Sequence, residues 1–147
     1  MGRRVKAVLG ILVVALVGVQ AIRPERTNPP VESELPAPPE IKTLLRRACY
    51  DCHSHETVWP WYSVVAPVSW LVAHDVQEGR EDLDYSTWGA YGPVKRAKKL
   101  RETANVVTQA EMPPRLYRIA HPAARLSDAE RQAIAAWCAD ELAHIGR

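Results

Sequence analysis

Charge excess is the first thing this 147-residue chain lacks. It carries 19 Lys/Arg against 17 Asp/Glu, a formal net charge of +2. Setting aside Arg3, Arg4 and Lys6 leaves 16 against 17, or −1 for everything that follows. A protein that grips nucleic acid through its phosphates needs a basic excess, so that class loses its support. Cysteine is scarce too, and three residues cannot staple a small scaffold with disulfides. One long apolar run stands near the N-terminus and no second follows, which excludes a multi-span membrane protein. Methionine is nearly absent: of two in the chain, Met112 is the internal one. With 47% apolar and 24% charged residues, the chain has the composition of a folded domain.

What is present begins with the apolar run itself. From Ala7 to Ile22 nothing is charged, and three basic residues precede the run. That pattern marks residues 1–22 as a signal-anchor, held on the cytoplasmic side by its basic end while the rest is exported. Cleavage after Val19-Gln20-Ala21 is the alternative and would leave export unchanged. Residues 23–37 read as a linker, because Pro24, Pro29, Pro30 and Pro36 deny it helix and ladder and favour an extended spacer. The folded domain is then residues 38–147.

Helical periodicity runs through that domain, and strand alternation is not seen. Ile41, Leu44, Leu45 and Ala48 form one apolar stripe. Pro67 is placed to open a second helix carrying Val68, Leu71, Val72 and Val76, which Gly79 would close. Gly92-Pro93 begins a third, with Val94, Ala97, Leu100, Ala104 and Val107 at helical spacing. Ser127-Asp128-Ala129-Glu130 is a capping box, followed by Ile134, Trp137, Cys138, Leu142 and Ile145, with Gly146 as the stop. The expected fold class is all-α.

The chemistry sits at Cys49-Tyr50-Asp51-Cys52-His53. Two thiols at this spacing can bond the two vinyl groups of a heme, with the adjoining His53 as axial ligand to the iron. Zinc is an alternative, but it needs two further ligands, and Cys138 falls on the apolar face of the capped helix. A redox dithiol is another, but it belongs in a βαβ setting.

A sixth iron ligand must come from elsewhere. Met112 lies in Glu111-Met112-Pro113-Pro114, a loop that cannot continue as helix and can hold a thioether still. His74 competes as the stronger ligand type, and an open or water-bound position is the third option. His55 is too near His53 to reach the opposite face. His121 and His144 read as ordinary surface or loop residues. Trp59, Trp61 and Tyr62, soon after the motif, are candidates to pack on the heme edge.

The heme motif after an amphipathic helix, the later Met-Pro loop and the helix opening at Leu126-Ser127-Asp128 are similar to a class I cytochrome c. More specifically, the chain resembles the bacterial haem-binding domain family of small exported proteins. The matching stretches are Ile22-Arg23-Pro24, Asn28-Pro29, residues 59–62 and 66–70, His74-Asp75, Glu78-Gly79-Arg80 and Glu111-Met112-Pro113. The resemblance implies one covalent heme c in a small helical domain, with Cys49 and Cys52 attaching it. Iron ligation by His53 and Met112 would saturate the metal and suit an electron carrier with no catalytic residues. The place implied is the periplasmic face of the bacterial inner membrane, and the partners implied are redox proteins. The alternative is a heme enzyme or small-gas or redox sensor, which needs an open or displaceable sixth position. Lys95, Arg96, Lys98, Lys99 and Arg101 read as a solvated face, with a docking patch for an acidic partner as the sharper alternative.

Overall fold

The computed structural model describes residues 2–145. Gly146, the expected stop of the last helix, lies outside the described residues. Among them the chain forms seven α-helices joined by loops and short 3-10 turns, with no strand. The all-α expectation holds.

Helix α1, Arg3–Gly18, continues through one 3-10 turn at Val19–Ala21 and buries none of its side chains. It is long and apolar enough to cross a membrane, with a mean hydropathy of 1.9 over Arg3–Ala21. Residues 22–38 then run without helix or strand, as their prolines require. They do not stand away from the domain as a free spacer. Glu32 and Ser33 donate their N–H groups to the Ser86 carbonyl, Asn28 Nδ2 donates to the Thr57 carbonyl, and Leu35 is buried in the core. The stretch is a strap laid across the fold.

Helix α2, Pro39–Ala48, begins with proline at its first position, where a missing N–H costs nothing. Its expected stripe faces inward, with Ile41, Leu45 and Ala48 buried and Leu44 partly so. After the single turn α3, Tyr50–His53, the chain loops through 54–67 to α4, Val68–Asp82. Gly79 does not end that helix. It runs on to Asp82, because Gly79 does not take the left-handed conformation with which a glycine ends a helix. Helix α5, Pro93–Thr108, and α7, Asp128–Ile145, form the main helix pair of the domain. Their buried faces bring Leu100 and Val107 together with Ile134, Trp137 and Cys138. Val94, counted in the stripe of α5, is instead 85% exposed, since the first turn projects beyond the core. The capping box forms as expected: Ser127 N–H donates to Glu130 Oε2 at 2.7 Å, and Glu130 N–H donates to Ser127 Oγ at 3.3 Å. That backbone bond, then Arg47 at 2.6 Å, holds the Glu130 carboxyl down at about 2. A further short helix, α6, Arg115–Ala120, follows the Met112 loop and carried no periodic signal long enough to expect.

Candidate functional site

Helix α2 ends at Cys49, whose φ −127° and ψ −34° break the helix while its N–H still reaches the Leu45 carbonyl at 2.7 Å. The next turn re-forms as α3, closed by His53 N–H on the Cys49 carbonyl at 2.9 Å. Helix α4 lies directly against this turn. A Cβ at Gly79 would stand 2.5 Å from the Cys52 carbonyl oxygen, so only glycine allows the two backbones to approach this closely. The approach has a chemical result. The carbonyls of Gly79 and Leu83 come within 2.8 and 3.0 Å of His53 Nδ1. A carbonyl only accepts, so Nδ1 donates, which leaves Nε2 as the ring nitrogen available to a metal. A metal-binding histidine is commonly fixed in this way by bonds from its other nitrogen. Gly79, read from the sequence as the end of α4, is instead an isolated glycine inside a helical pattern, the signal that marks such close packing.

The two thiols are free and partly buried. Burial pushes Cys49 up to about 12, with the neighbouring Cys52 and Cys138 adding, while Tyr85 opposes through a hydrogen bond. Burial also pushes Cys52 up to about 11, with Asp75 and Asp51 adding. Both groups are S–H at neutral pH.

The turn is held from outside as well. Arg80, one residue beyond Gly79, donates Nε to the Ser54 carbonyl at 2.8 Å. Its two Nη groups reach the Thr27 carbonyl, Asn28 Oδ1 and Thr57 Oγ1. One guanidinium thereby ties α4, the loop after the motif and the strap. His55 adds a second tie: Nε2 meets Asp84 at 2.7 Å and Nδ1 meets the Pro30 carbonyl at 2.8 Å. That network keeps His55 away from any ligand role.

Beside Cys52 lies a cavity of about 260 Å³. One wall is the stripe Val68, Leu71, Val72 and Val76 of α4, and the facing wall is Leu116, Tyr117 and Ala120 of α6 with His121. The stripe read from the sequence is real, but it faces this cavity, and only Val76 among the four is fully buried. Polar groups edge the cavity in two pairs. Tyr62 Oη and His121 Nε2 are 2.6 Å apart, and Tyr117 Oη donates to Asp51 Oδ2 at 2.6 Å. Burial, then the Asp51 bond, pushes the Tyr117 hydroxyl up. The Tyr117 and His121 rings stack at 4.4 Å. His121 is therefore not an ordinary surface residue, and nothing in the sequence linked it to Tyr62 or Cys52.

The remaining candidates fall elsewhere. Met112 is half-buried after α5; its N–H donates to the Val106 carbonyl, and Arg131 Nη1 donates to its carbonyl at 3.3 Å. It is not among the walls of the cavity beside Cys52. His74 has a side chain 61% exposed, 3.4 Å from Glu78, on another stretch of α4. Of the three aromatics placed at a heme edge, Tyr62 lines the cavity, while Trp61 is 80% exposed and Trp59 lines a separate cleft with Trp70. Lys99 does not belong to a solvated face, since it is buried and ion-paired with Asp82 at 2.7 Å and Glu102 at 2.9 Å.

An imidazole whose Nδ1 is committed to two carbonyls, two adjacent thiols and an apolar cleft at Cys52, though not at Cys49 or His53, are donors of the kind an iron porphyrin takes. No group of three or more His, Cys, Asp and Glu side chains assembles for a bare metal ion among the described residues. No curated protein and no solved structure matches the chain. A family model described as Haem-binding domain matches residues 14–140, so the chain belongs to the haem-binding domain family.

Proposed function

We propose that this protein carries a covalent c-type heme on Cys49 and Cys52, with His53 as axial ligand, and passes electrons at the outer face of the cytoplasmic membrane. The observation that carries this reading is the His53 ring, with Nδ1 committed to the Gly79 and Leu83 carbonyls and Nε2 left free. When bound, the heme supplies a one-electron iron couple. The chain supplies the rest. Cys49 and Cys52 tether the group, the carbonyl pair orients His53, and the walls of α4 and α6 exclude water on the Cys52 side. Met112 is the sixth ligand in this reading, supported by a loop held through Val106 and Arg131. Helix α1 acts as the retained anchor, supported by its length and full exposure of its apolar side chains.

The cavity edged by Tyr62, Tyr117 and His121 favours a second reading, an enzyme or sensor with an open or displaceable sixth position. One set of measurements separates them. Protein from a host with working heme attachment should gain one heme in intact mass and stain for heme on a denaturing gel. A bare-chain mass sinks both readings. Cys49→Ser or Cys52→Ser should weaken attachment, and Cys138→Ser should not, because that thiol is buried in the helix packing. Ferric wild type should show a weak thioether charge-transfer band at the red end of the spectrum, lost in Met112→Ala. Immediate carbon monoxide uptake by ferrous wild type, with Met112→Ala optically silent, would hand the case to the second reading.

A further inference from the structure

We propose that the loop 61–65 is a membrane foot, with Trp61, Val64 and Val65 seated in the outer leaflet of the bilayer that α1 crosses. The inference rests on the reading of α1 as a retained anchor and adds to it where the domain sits.

The geometry comes from the last residues of the apolar segment. Arg3–Ala21 is 19 residues long. Its uncharged part from Ala7 on spans about 22 Å at 1.5 Å per residue, with Arg3, Arg4 and Lys6 at the inner headgroups, so the whole of it is needed to cross a hydrocarbon core of roughly 30 Å. Residues 20–22 therefore sit where the chain leaves the lipid. Gln20 is bonded there to the domain: its Nε2 donates to the Ala66 carbonyl at 3.1 Å, and its Oε1 accepts the Ala66 N–H at 3.0 Å. Two residues on, the Ile22 carbonyl accepts from Trp70 Nε1 at 2.8 Å. These bonds remove the stand-off that a free linker would allow, so the loop preceding Ala66 lies at the boundary itself.

That loop is dressed for the boundary. Trp61 is 80% exposed, Val64 59% and Val65 43%, and none of the three lines the cavity beside Cys52. A tryptophan with an apolar face and an N–H favours the interface, and exposed valines beside it gain by leaving water. Cations flank the patch on the exit side. Arg26 Nη1 donates to Ser63 Oγ at 3.1 Å, and Arg23 lines the same crevice with Gln20 and Val64. Two guanidiniums at headgroup height suit anionic phospholipid. A lipid surface explains the apolar loop, the flanking arginines and the Gln20 clamp together.

The test uses the full chain in nanodiscs of phosphatidylethanolamine and phosphatidylglycerol, with Cys138→Ser as background. Val64→Cys probes the foot, and Val94→Cys, on α5, reports open water. Each is reacted with a charged, water-soluble maleimide and with a lipid-soluble one, and labelling is read on the peptide by mass spectrometry. The charged reagent should label position 64 several-fold more slowly than position 94, while the lipid-soluble reagent labels both readily. Equal rates for the charged reagent, in protein that resists carbonate extraction, overturn the foot and leave the anchor standing. Slow labelling of position 64 by both reagents means another protein surface covers the loop, and also overturns it. Release of the protein by carbonate removes the anchor and the foot together.

Discussion

The turn Tyr50–His53 and the Met112 loop hold the two proposed iron ligands by different means. At the turn, side chains do the holding. The His53 ring is bonded to two carbonyls, Ser54 Oγ to the Tyr50 carbonyl, Thr57 Oγ1 to the Asp51 carbonyl, and Arg80 spans four acceptors. The ligand's orientation is thus set by protein alone. At the Met112 loop the backbone does the holding, through Val106 and Arg131, and those bonds place the main chain without orienting the thioether. A site built this way has one ligand position fixed on folding and one placed only by its loop. The His53 ring is therefore oriented before any iron binds, whereas the Met112 side chain is not.

The sharpest way to break the comparison is at Gly79. Alanine there puts a methyl 2.5 Å from the Cys52 carbonyl, and the obstacle is backbone, which cannot swing aside. Helices α3 and α4 must part, at a cost of about 3 kcal/mol. The Gly79 and Leu83 carbonyls then leave His53 Nδ1. Urea unfolding should show the loss, and heme attachment should fall with it. If Gly79→Ala matches wild type in both, the turn is not held as described.

Arg131 tests the other side. It is buried, and one of its nitrogens serves both the Val107 carbonyl at 3.0 Å and the Met112 carbonyl at 3.3 Å. Arg131→Met keeps much of the volume and strands the Met112 carbonyl, while the Val107 carbonyl keeps the Ala110 N–H, so a loss of about 1 kcal/mol is expected. The Met112 loop should loosen while His53 stays in place. Under the carrier reading the charge-transfer band weakens and carbon monoxide uptake quickens, whereas covalent heme content does not change. Loss of covalent heme in this variant would show that the two regions are not independent.

How much of this was legible in the residues divides along the same line. The motif, the capping box and the inward faces of α2, α5 and α7 were readable because each is a local pattern of a few residues. The His53 orientation was not, because it depends on Gly79 and Leu83 from another helix. The His121 cluster was hidden for the same reason: Tyr117 is only one turn away, but Tyr62 and Asp51 come from the chain before α4. The strap is the clearest case. Prolines announced that residues 23–37 would be extended, but extension says nothing about attachment, and that came from Asn28, Leu35 and Arg80. The stripe Val68, Leu71, Val72 and Val76 was readable as a helix face, but its facing the cavity beside Cys52 was not, because periodicity reports an apolar face and not what covers it.

The smallest expected effect lies at the hinge between α5 and the Met112 loop. Ala110 adopts φ 59°, a left-handed conformation that costs a residue with a Cβ about 1 kcal/mol. It is there because the helix ends in a Schellman turn, with Glu111 N–H on the Val106 carbonyl and Ala110 N–H on the Val107 carbonyl. Glycine is the usual occupant of this position. Ala110→Gly removes the steric cost but gives the unfolded chain more freedom, which returns part of the gain. A net stabilisation of about 0.5 kcal/mol is expected, a rise of roughly 2–4 °C in Tm for a domain of this size. The two carbonyl bonds need no change for this, so the Met112 backbone stays where Val106 and Arg131 put it. The charge-transfer band proposed for Met112 should therefore be the same in Ala110→Gly as in wild type. A Tm gain with an altered band would show that strain at Ala110 helps aim the thioether, and the loop would then join the turn as a region built to orient its ligand.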